Sequence, residues 1–256
     1  MPKFAANLTF MFNEVDFLDR FEAASRAGFR GVEYLFPYAC EKAQLALRLQ
    51  THGLAQVLFN LPPGDFAAGE RGIACHPDRV GEFQDGVGKA IDYASALGCR
   101  QLNCLAGILK GDPEQAHRTL VDNLKFAAAK LANAGIRLNI EPINTIDIPG
   151  FFLCRTAQAL KVMDEVSSNN LYLQYDIYHM QIMEGDLART IEKNLGKISH
   201  LQLADNPGRH EPGTGEIHYP FLFQLIDRLG YDGWIGCEYK PAASTVAGLE
   251  WIKPYL

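Results

Sequence analysis

Residues 171–179 read Leu-Tyr-Leu-Gln-Tyr-Asp-Ile-Tyr-His, an apolar and aromatic run that meets an acid at Asp176. Three further segments, at 136–141, 197–202 and 233–238, have the same form, and each ends on a polar side chain. Runs of this kind predict buried strands. Their final residues are 35 positions (141 to 176), 26 (176 to 202) and 36 (202 to 238) apart, about one strand plus one crossover helix each time.

The rest of the chain repeats this alternation of strand and helix. Further strands are predicted at 4–8, 31–36, 54–60 and 101–106. Helices are predicted at about 16–28, 41–52, 79–97, 113–134, 156–166, 186–195 and 219–229, with a last helix after Ser244. Glycines such as Gly53 and Gly98 follow several of these helices, as is usual at a helix C-terminus. Eight strands alternating with eight helices favour a parallel sheet covered by helices.

Chain length and the first turn distinguish the two common forms of such a sheet. The chain has 256 residues, and about 250 residues is typical of a closed (β/α)8 TIM barrel. A doubly wound open sheet instead predicts a glycine-rich phosphate-binding turn after the first strand. Residues 7–12 read Asn-Leu-Thr-Phe-Met-Phe and contain no glycine. With no shift in composition and no linker, we predict a single TIM-barrel domain over residues 1–256.

Composition excludes or disfavours several classes of protein. The net charge of −6 disfavours a nucleic-acid partner, because a phosphate-binding surface usually has a basic excess. No apolar run reaches the roughly 20 residues that span a bilayer, so no membrane role is expected. The six cysteines form no Cys-x-x-Cys pair and the N-terminus has no secretory pattern, which together indicate a cytoplasmic protein with free thiols.

One connection is too long and too rich in glycine and proline to be a simple link. Residues 61–78 follow the third predicted strand, so in a barrel they lie at the face that carries active sites. Long ordered loops are often functional. We therefore interpret this segment as a lid that carries Glu70 and Arg71, with an ordinary surface loop as the alternative.

The final residues of the last four strands are the main clue to chemistry. If the strands are parallel neighbours, their carboxyl ends bring together Glu141, Asp176, Gln202 and Glu238. Carboxylates at such close range repel one another unless protons or a cation neutralise them. Oxygen ligands suit a hard divalent ion such as Mg²⁺ or Mn²⁺ better than zinc. Two of the acids, Glu141 and Glu238, are also candidates for catalytic acid and base.

Alternation along a strand extends this polar layer. Side chains two residues apart share a face, so the inward residues also include Asn139, Gln174, His200 and Gly236. By the same reasoning the first four strands contribute Asn7, Glu33, Asn60 and Asn103. An ordinary barrel interior is apolar, so this polarity predicts a wet mouth that holds a ligand. Asn60 is accordingly a candidate substrate contact.

Several charged or titratable residues are candidates for substrate binding. His179 follows the strand that ends at Asp176 and is interpreted as a donor to a substrate oxygen. The alternatives are a metal ligand and a histidine that only bonds to neighbouring loops. Arg209 lies in the glycine- and proline-rich loop 205–216, and Lys240 lies two residues after Glu238. Either cation, like Arg71, is suited to an anionic substrate. His200 lies deeper in its strand and is predicted to be structural.

Four motifs together resemble the hydroxypyruvate isomerase family, which belongs to the xylose-isomerase-like TIM barrels. They are Glu-Pro-Ile-Asn at 141–144, Gln-Tyr-Asp-Ile-Tyr-His-Met at 174–180, the loop motif at 204–217 and Gly-Cys-Glu-Tyr-Lys-Pro at 236–241. The resemblance covers essentially the whole chain, including Ala-Gly-Glu-Arg-Gly-Ile-Ala-Cys in the predicted lid.

The resemblance implies an enzyme that interconverts hydroxypyruvate and 2-hydroxy-3-oxopropanoate through an enediol. The acid/base glutamates of the family correspond to Glu141 and Glu238, and the metal positions of the wider superfamily correspond to these two residues, Asp176 and Gln202. Related ketose 3-epimerases have a histidine where Gln202 stands, which leaves the metal requirement open. The substrate partner is a small hydroxy-keto acid, and a homo-oligomer is one option.

Other functions stay open at this point. The 2-oxo-tetronate isomerase branch shares the barrel, the glutamates and the Gly-Cys-Glu-Tyr-Lys-Pro motif, and a ketose 3-epimerase is a further alternative. Metal-dependent apurinic endonucleases with the same barrel need a histidine-rich metal cluster and a basic face, which this sequence lacks. A sugar-acid binding protein without catalysis need not keep both Glu141 and Glu238, yet both are present.

Overall fold

The computed structural model describes residues 1–255, and eight parallel strands in this range close into a barrel in chain order. The strands are β1 Lys3–Asn7, β2 Gly31–Glu33, β3 Ala55–Asn60, β4 Gln101–Cys104, β5 Arg137–Ile140, β6 Leu171–Asp176, β7 Ile198–Leu203 and β8 Trp234–Cys237. Pairing of β1 with β8 closes the ring. The predicted (β/α)8 barrel is therefore confirmed.

Helices connect the strands along the outside of the barrel. They are α1 Arg20–Arg26, α2 Lys42–His52, α3 Val80–Leu97, α4 Pro113–Asn133, α5 Thr156–Val166, α6 Ile177–Met183, α7 Leu187–Asn194 and α8 Tyr219–Arg228. Gly53 and Gly98 follow α2 and α3 in the left-handed conformation, which a residue without Cβ adopts at low cost. These helices bury an apolar face against the strands.

Strand β2 ends at Glu33 rather than at residue 36, and two helical elements differ from the sequence-based prediction in kind. Helix α6 begins directly after β6, because the Asp176 carboxylate caps it by accepting a hydrogen bond from the Tyr178 backbone N–H at 2.8 Å; the sequence pattern did not predict this helix. The predicted last helix is a 3-10 helix, Ala247–Tyr255, with Pro254 inside it. Proline lacks the N–H that an α-helix requires there.

Strand register places the polar side chains at one level of the barrel. Asn7 pairs with Glu33, Asn60 with Asn103, and Gln202 with both Asp176 and Gly236. Glu141 and Glu238 follow the last residues of β5 and β8. The carboxyl ends of the strands therefore form one buried polar ring, as the spacing of the chain predicted.

Loop 61–78 forms a long irregular segment that ends in the 3-10 helix Pro77–Arg79. The Asn123 amide donates to the Ala74 backbone oxygen at 2.9 Å and fastens the loop to α4. Gly72 lies so close to the Leu105 backbone that a Cβ there would overlap it. Residues 72–76 of the loop are thus packed against the barrel, while residues 65–69 are exposed.

No helix among residues 1–255 is long and apolar enough to cross a membrane. All six cysteines are free, and four of them are buried.

Candidate active site

Four buried side chains converge at the carboxyl end of the barrel. One ligand atom each from Glu141, Asp176, His179 and Glu238 lies within 4.8 Å of the others. The exposed fractions of these residues are 4% or less. Three carboxyl groups thus share a small volume at the strand ends, as the spacing of the acids predicted.

Burial changes the proton affinity of this cluster. Burial, reinforced by the charges of Glu238 and Asp176, raises the pKa of Glu141 well above its usual value. Burial likewise raises the pKa of Glu238 to about 8, against the opposing effect of Arg209. The pKa of Asp176 is raised for the same first reason. Carboxyl groups with raised pKa values, such as Glu238, are suited to proton transfer in both directions.

Arg209 supplies the positive charge nearest to the cluster. Its Nη2 atom lies 3.0 Å from Glu238 Oε2 and 4.0 Å from Asp176 Oδ2. The guanidinium carbon lies 5.0 Å from the ring centre of Phe10 and 5.1 Å from that of Tyr178. Stacking and ion pairing hold the side chain in one orientation, so Arg209 aligns Glu238 and partly neutralises the acids.

The loop after β7 is organised by one buried acid. The Asp205 carboxylate accepts hydrogen bonds from the backbone N–H groups of Asn206, Gly213 and Ile217 at 2.8–3.0 Å. Arg209 itself has a φ of 56°, a left-handed conformation that is uncommon for a residue with a side chain. The surrounding hydrogen bonds therefore hold a turn that directs the guanidinium into the barrel.

The neighbours of His179 determine which ring nitrogen carries its proton. Asn144 Oδ1 accepts hydrogen bonds from the backbone N–H groups of Ile146 and Asp147 at 3.0 and 2.7 Å. The Asn144 amide nitrogen therefore faces His179 Nδ1, 2.6 Å away, as a donor. Burial, followed by the charge of Arg209, lowers the pKa of His179 well below its usual value. The neutral ring thus has its hydrogen on Nε2.

In this tautomer the Nε2–H group of His179 faces the carboxyl groups of the cluster. His179 Nε2 lies 3.6 Å from Asp176 Oδ2 and 3.9 Å from Glu141 Oε1. An N–H at this position can donate to an oxygen of a bound molecule, whereas metal ligation through Nε2 would require the proton to move. The geometry favours the donor interpretation from the sequence.

Gln202 lies beside the cluster, with both ends of its amide already bonded. Its Oε1 accepts from Gln174 Nε2 at 2.7 Å, and its Nε2 donates to Glu33 Oε1 at 2.8 Å. The amide oxygen would have to exchange its partner to bind a cation. Gln202 still lines the cavity, so its ligand role stays a prediction.

Asn60 reaches the cluster through Asn103. The Asn103 amide nitrogen donates to Asn60 Oδ1 at 3.1 Å and to Glu141 Oε2 at 2.8 Å. Asn60 lines the cavity directly. Asn103 therefore holds Glu141 through Oε2, while Oε1 is the oxygen nearer to His179.

A cavity of about 890 Å³ opens above the four side chains. Lys240 and Arg71 lie in its wall, with the Arg71 guanidinium carbon 4.0 Å from the Phe66 ring centre. The Lys240 backbone is fixed, because its N–H donates to the Arg209 oxygen at 2.8 Å. Glu70, in contrast, pairs with Arg79 and Lys110 and is not part of the wall.

The acids fit a divalent cation by their chemistry. Asp176 Oδ2 is buried without a hydrogen-bond partner, which is costly unless another group compensates it. Beyond it, Glu141 and Glu238 add oxygen atoms of the kind that hard cations prefer. This buried group of acids, with His179, could therefore hold a metal ion.

The sequence analysis did not predict the hydrogen bonds that Glu33 forms in this region. Glu33 was predicted only to face inward, yet its carboxylate contacts Asn7, His200 and Gln202. Strand periodicity indicates the inward direction but not the partners. His200 is structural, as predicted.

The barrel and its buried acids define a class of protein. The chain belongs to the xylose isomerase-like TIM barrel family, whose family model matches residues 21–255. Among curated proteins it is 55% identical to hydroxypyruvate isomerase of Escherichia coli (strain K12), with 100% of both chains covered. It is 50% identical to 2-oxo-tetronate isomerase of Cupriavidus necator, with 100% of this chain and 99% of the relative covered.

A solved structure agrees with this assignment. The crystal structure named AP endonuclease, family 2 from Brucella melitensis superimposes with a TM-score of 0.98 at 50% identity, covering 100% of this chain and 99% of that chain.

Proposed function

We propose that this chain is an isomerase of the aldose–ketose type that interconverts hydroxypyruvate and 2-hydroxy-3-oxopropanoate (tartronate semialdehyde). The observation that supports the proposal is the buried pair Glu141 and Glu238, whose carboxyl oxygens lie within 4.8 Å of each other and whose pKa values are raised. The full-length similarity to the Escherichia coli hydroxypyruvate isomerase supports the substrate.

The proposed reaction transfers one proton from C3 to C2 and one from the C3 oxygen to the C2 oxygen, with no net change in oxidation state. Proton exchange with water then returns the two glutamates to their starting protonation states. One glutamate takes a proton from C3 of hydroxypyruvate while the carbonyl oxygen on C2 gains a proton, which produces the enediol. The other glutamate protonates C2 as the oxygen on C3 loses its proton and becomes the aldehyde oxygen. Burial raises the pKa of both glutamates, and a raised pKa suits a carboxyl group to give as well as to take a proton.

The remaining residues have supporting parts in this proposal. The His179 Nε2–H donates to a substrate oxygen, and the Arg209 charge favours the developing enediolate. A bound divalent ion, Mg²⁺ or Mn²⁺, held by Glu141, Asp176 and Glu238 with Gln202 as a further ligand, would polarise the substrate carbonyl and acidify the adjacent C–H.

The substrate carboxylate needs a cation outside the acid cluster. Arg209 is already paired with Glu238, whereas Lys240 lies in the cavity wall and is exposed. Arg71 forms hydrogen bonds with the backbone oxygens of Phe66 and Glu70 through Nη1 and is stacked on the Phe66 ring, which leaves its charge at the cavity edge. We propose that Lys240 and Arg71 pair with the carboxylate, and that Asn60 contacts the substrate.

A second candidate substrate is a 2-oxo-tetronate, which is one carbon longer. The similarity to the Cupriavidus necator enzyme favours it, and a cavity of about 890 Å³ is large enough for either acid. A ketose 3-epimerase is less favoured, because a neutral ketose does not require the cations at the mouth.

Phosphodiester cleavage, suggested by the name of the Brucella structure, is disfavoured by charge and ligand type. The net charge is −6, and the metal-binding group found among residues 1–255 contains one histidine. We propose no nucleic-acid partner, a cytoplasmic location and a place in carbohydrate-acid (glyoxylate) metabolism.

The test is turnover of hydroxypyruvate in deuterium oxide, followed by NMR with and without chelation. We expect product that carries deuterium on carbon, and loss of at least about 1000-fold in rate for Glu141→Gln and for Glu238→Gln. The surface change Glu192→Gln on α7 is the matched control and should leave the rate unchanged. Activity after chelation would reject the metal requirement.

The other substrates are tested in parallel. Faster turnover of 2-oxo-tetronate would assign the alternative substrate, and turnover of a ketose alone would replace the proposed reaction. Absence of both product and exchange with either keto acid would reject the proposed isomerase. An abasic-site oligonucleotide should remain intact, and its cleavage would contradict the proposal.

A further inference from the structure

A fully buried acid lies beneath the catalytic cluster. Glu33 and His200 are both 0% exposed, and Glu33 does not line the cavity. His200 Nε2 lies 2.7 Å from Glu33 Oε2, and His200 Nδ1 lies 3.3 Å from Gln101 Nε2. The ring therefore donates to Glu33 and accepts from Gln101, which fixes the carboxylate on one side.

The other oxygen of Glu33 holds two amides that do reach the cavity. Glu33 Oε1 accepts from Gln202 Nε2 at 2.8 Å and from Asn7 Nδ2 at 3.0 Å. With three hydrogen bonds to one carboxylate, Glu33 is the centre of a connected buried network. Such networks fix a single arrangement when all members are satisfied.

Asn7 connects this network to Glu238. Its Oδ1 accepts from the Thr9 backbone N–H at 3.1 Å, so its nitrogen must face the acids. That nitrogen lies 3.0 Å from Glu33 Oε1 and 3.3 Å from Glu238 Oε1. Arg209 holds the opposite oxygen, Glu238 Oε2, at 3.0 Å. The two oxygens of Glu238 are thus held from two sides.

The barrel leaves space for this arrangement at Gly236. Gly236 lies on β8, two positions before Glu238. A Cβ at Gly236 would overlap the Glu33 carboxylate. A glycine is therefore required at this position of the Gly-Cys-Glu motif, because any side chain there would overlap the buried Glu33 carboxylate.

We propose that Glu33 is a positioning residue for Glu238 and acts through Asn7. The inference rests on the proposed function, in which Glu238 exchanges a proton with substrate carbon. A displacement of about 1 Å at such a group costs about 100-fold in rate. Glu33 itself does not touch the substrate, so its loss should lower kcat and leave KM nearly unchanged.

The test compares two replacements of similar length. Glu33→Gln keeps an oxygen that can accept from Asn7, whereas Glu33→Met has no acceptor. We expect kcat for the keto acid to fall about 10- to 100-fold in Glu33→Met and to stay within about fivefold of wild type in Glu33→Gln, with KM changed less than about threefold in both. Equal losses in the two variants, or a change in KM instead of kcat, would overturn the proposal.

Coupling to Asn7 is tested with a double mutant, which also serves if Glu33→Met does not fold. Asn7→Leu should lower kcat to a similar extent, and Asn7→Leu combined with a Glu33 replacement should be no slower than Asn7→Leu alone. Losses that multiply would indicate independent effects and would contradict the proposed route.

A control separates positioning from general loosening of the barrel. Ser199→Ala removes the buried hydrogen bond from Ser199 to Asn139 without touching Glu33, Asn7 or Glu238. It should lower the melting temperature but not kcat. A loss of kcat equal to that of Glu33→Met would make the effect structural.

Crystal structures of the variants test the positioning of Glu238 even if the substrate has been assigned wrongly. If the wild type turns over neither keto acid, the proposed function fails, but the position of Glu238 can still be compared. We expect the Asn7–Glu238 contact to be lost in Glu33→Met and kept in Glu33→Gln. An unchanged contact in Glu33→Met would overturn the proposal.

Discussion

A single amide determines what His179 can do. Because Asn144 Oδ1 is occupied by two backbone N–H groups, its nitrogen can only donate to His179 Nδ1. The ring therefore presents Nε2–H to the cavity. Neither the type nor the sequence position of His179 specifies this tautomer, which depends on a partner 35 residues away.

Replacement of Asn144 by aspartate should reverse the tautomer. In Asn144→Asp the oxygen that replaces the amide nitrogen accepts from Nδ1–H, so Nε2 loses its hydrogen. We expect kcat to fall about 10- to 100-fold with the fold retained. The ¹⁵N shifts of the His179 ring would report the change, with the other histidines as internal controls. Unchanged ring shifts would disprove the tautomer assignment.

Lys240 has one proposed interaction, an ion pair with the substrate carboxylate. Lys240→Met should raise KM for hydroxypyruvate about tenfold, a loss of about 1.4 kcal/mol in binding, with little change in melting temperature. Lys193→Met, at an exposed position of α7, is the matched control. An unchanged KM in Lys240→Met would show that another group binds the carboxylate.

Loop 61–78 is held in place by Glu70, which the sequence analysis had assigned to a lid over the barrel mouth. Glu70 Oε2 accepts from the Asp65 backbone N–H at 2.7 Å, while Oε1 pairs with Arg79 and Lys110. The Arg79 hydrogen bond is the main cause that lowers the pKa of Glu70 to about 2. Glu70 thus anchors the loop at its base, and Arg71 alone of this pair lines the cavity.

Loss of the Glu70 charge should loosen the loop without unfolding the barrel. Glu70→Gln should increase amide hydrogen exchange at Asp65 and its neighbours about tenfold, since a hydrogen bond to a charged group contributes about 1.5–3 kcal/mol. Glu82→Gln also removes a partner of Arg79 but leaves the loop contact, so it should have a smaller effect. Equal exchange in the two variants would contradict this account.

The same anchor has a defined dependence on pH. A carboxyl group whose pKa is lower in the folded protein stabilises it fully above the unfolded value, near 4.3. That contribution is lost as pH falls from there toward about 2.

For the whole molecule, the acid cluster opposes folding stability. Glu141, Asp176 and Glu238 have raised pKa values in the folded barrel, so the folded state binds more protons than the unfolded chain. Below the unfolded pKa values, about 4, these acids are protonated in both states and do not affect the free energy of unfolding. As pH rises from there through the folded pKa values, the unfolded chain is increasingly favoured over the barrel. We propose that residues 1–256 form one domain, so this effect acts on a single cooperative unit.

A divalent cation should therefore stabilise the protein more at high pH. We expect the rise in melting temperature on adding Mn²⁺ to a chelated sample to be larger at pH 8 than at pH 5, because metal binding displaces protons from the cluster. Scanning fluorimetry at both pH values measures this. Asp176→Asn should reduce the difference, and a shift independent of pH would contradict the account.

The sequence by itself determined the barrel and the level at which its acids meet. Strand alternation and the spacing from Glu141 to Glu238 are local properties of the chain, because side chains repeat every two residues along a strand and each crossover has a limited length. These patterns placed the acids correctly at the strand ends, and they also predicted that His200 is structural.

Only the tertiary structure decided which donor meets which acceptor. Asn7 reaches Glu33 across 26 residues and Glu238 across 231, and neither contact has a signature in local periodicity. The outward direction of Glu70, the stacking of Arg209 between two rings and the capping of α6 by Asp176 are of the same kind. Hydrogen bonds and ion pairs depend on distances of a few ångströms, and closure of the barrel sets those distances between segments far apart in the chain.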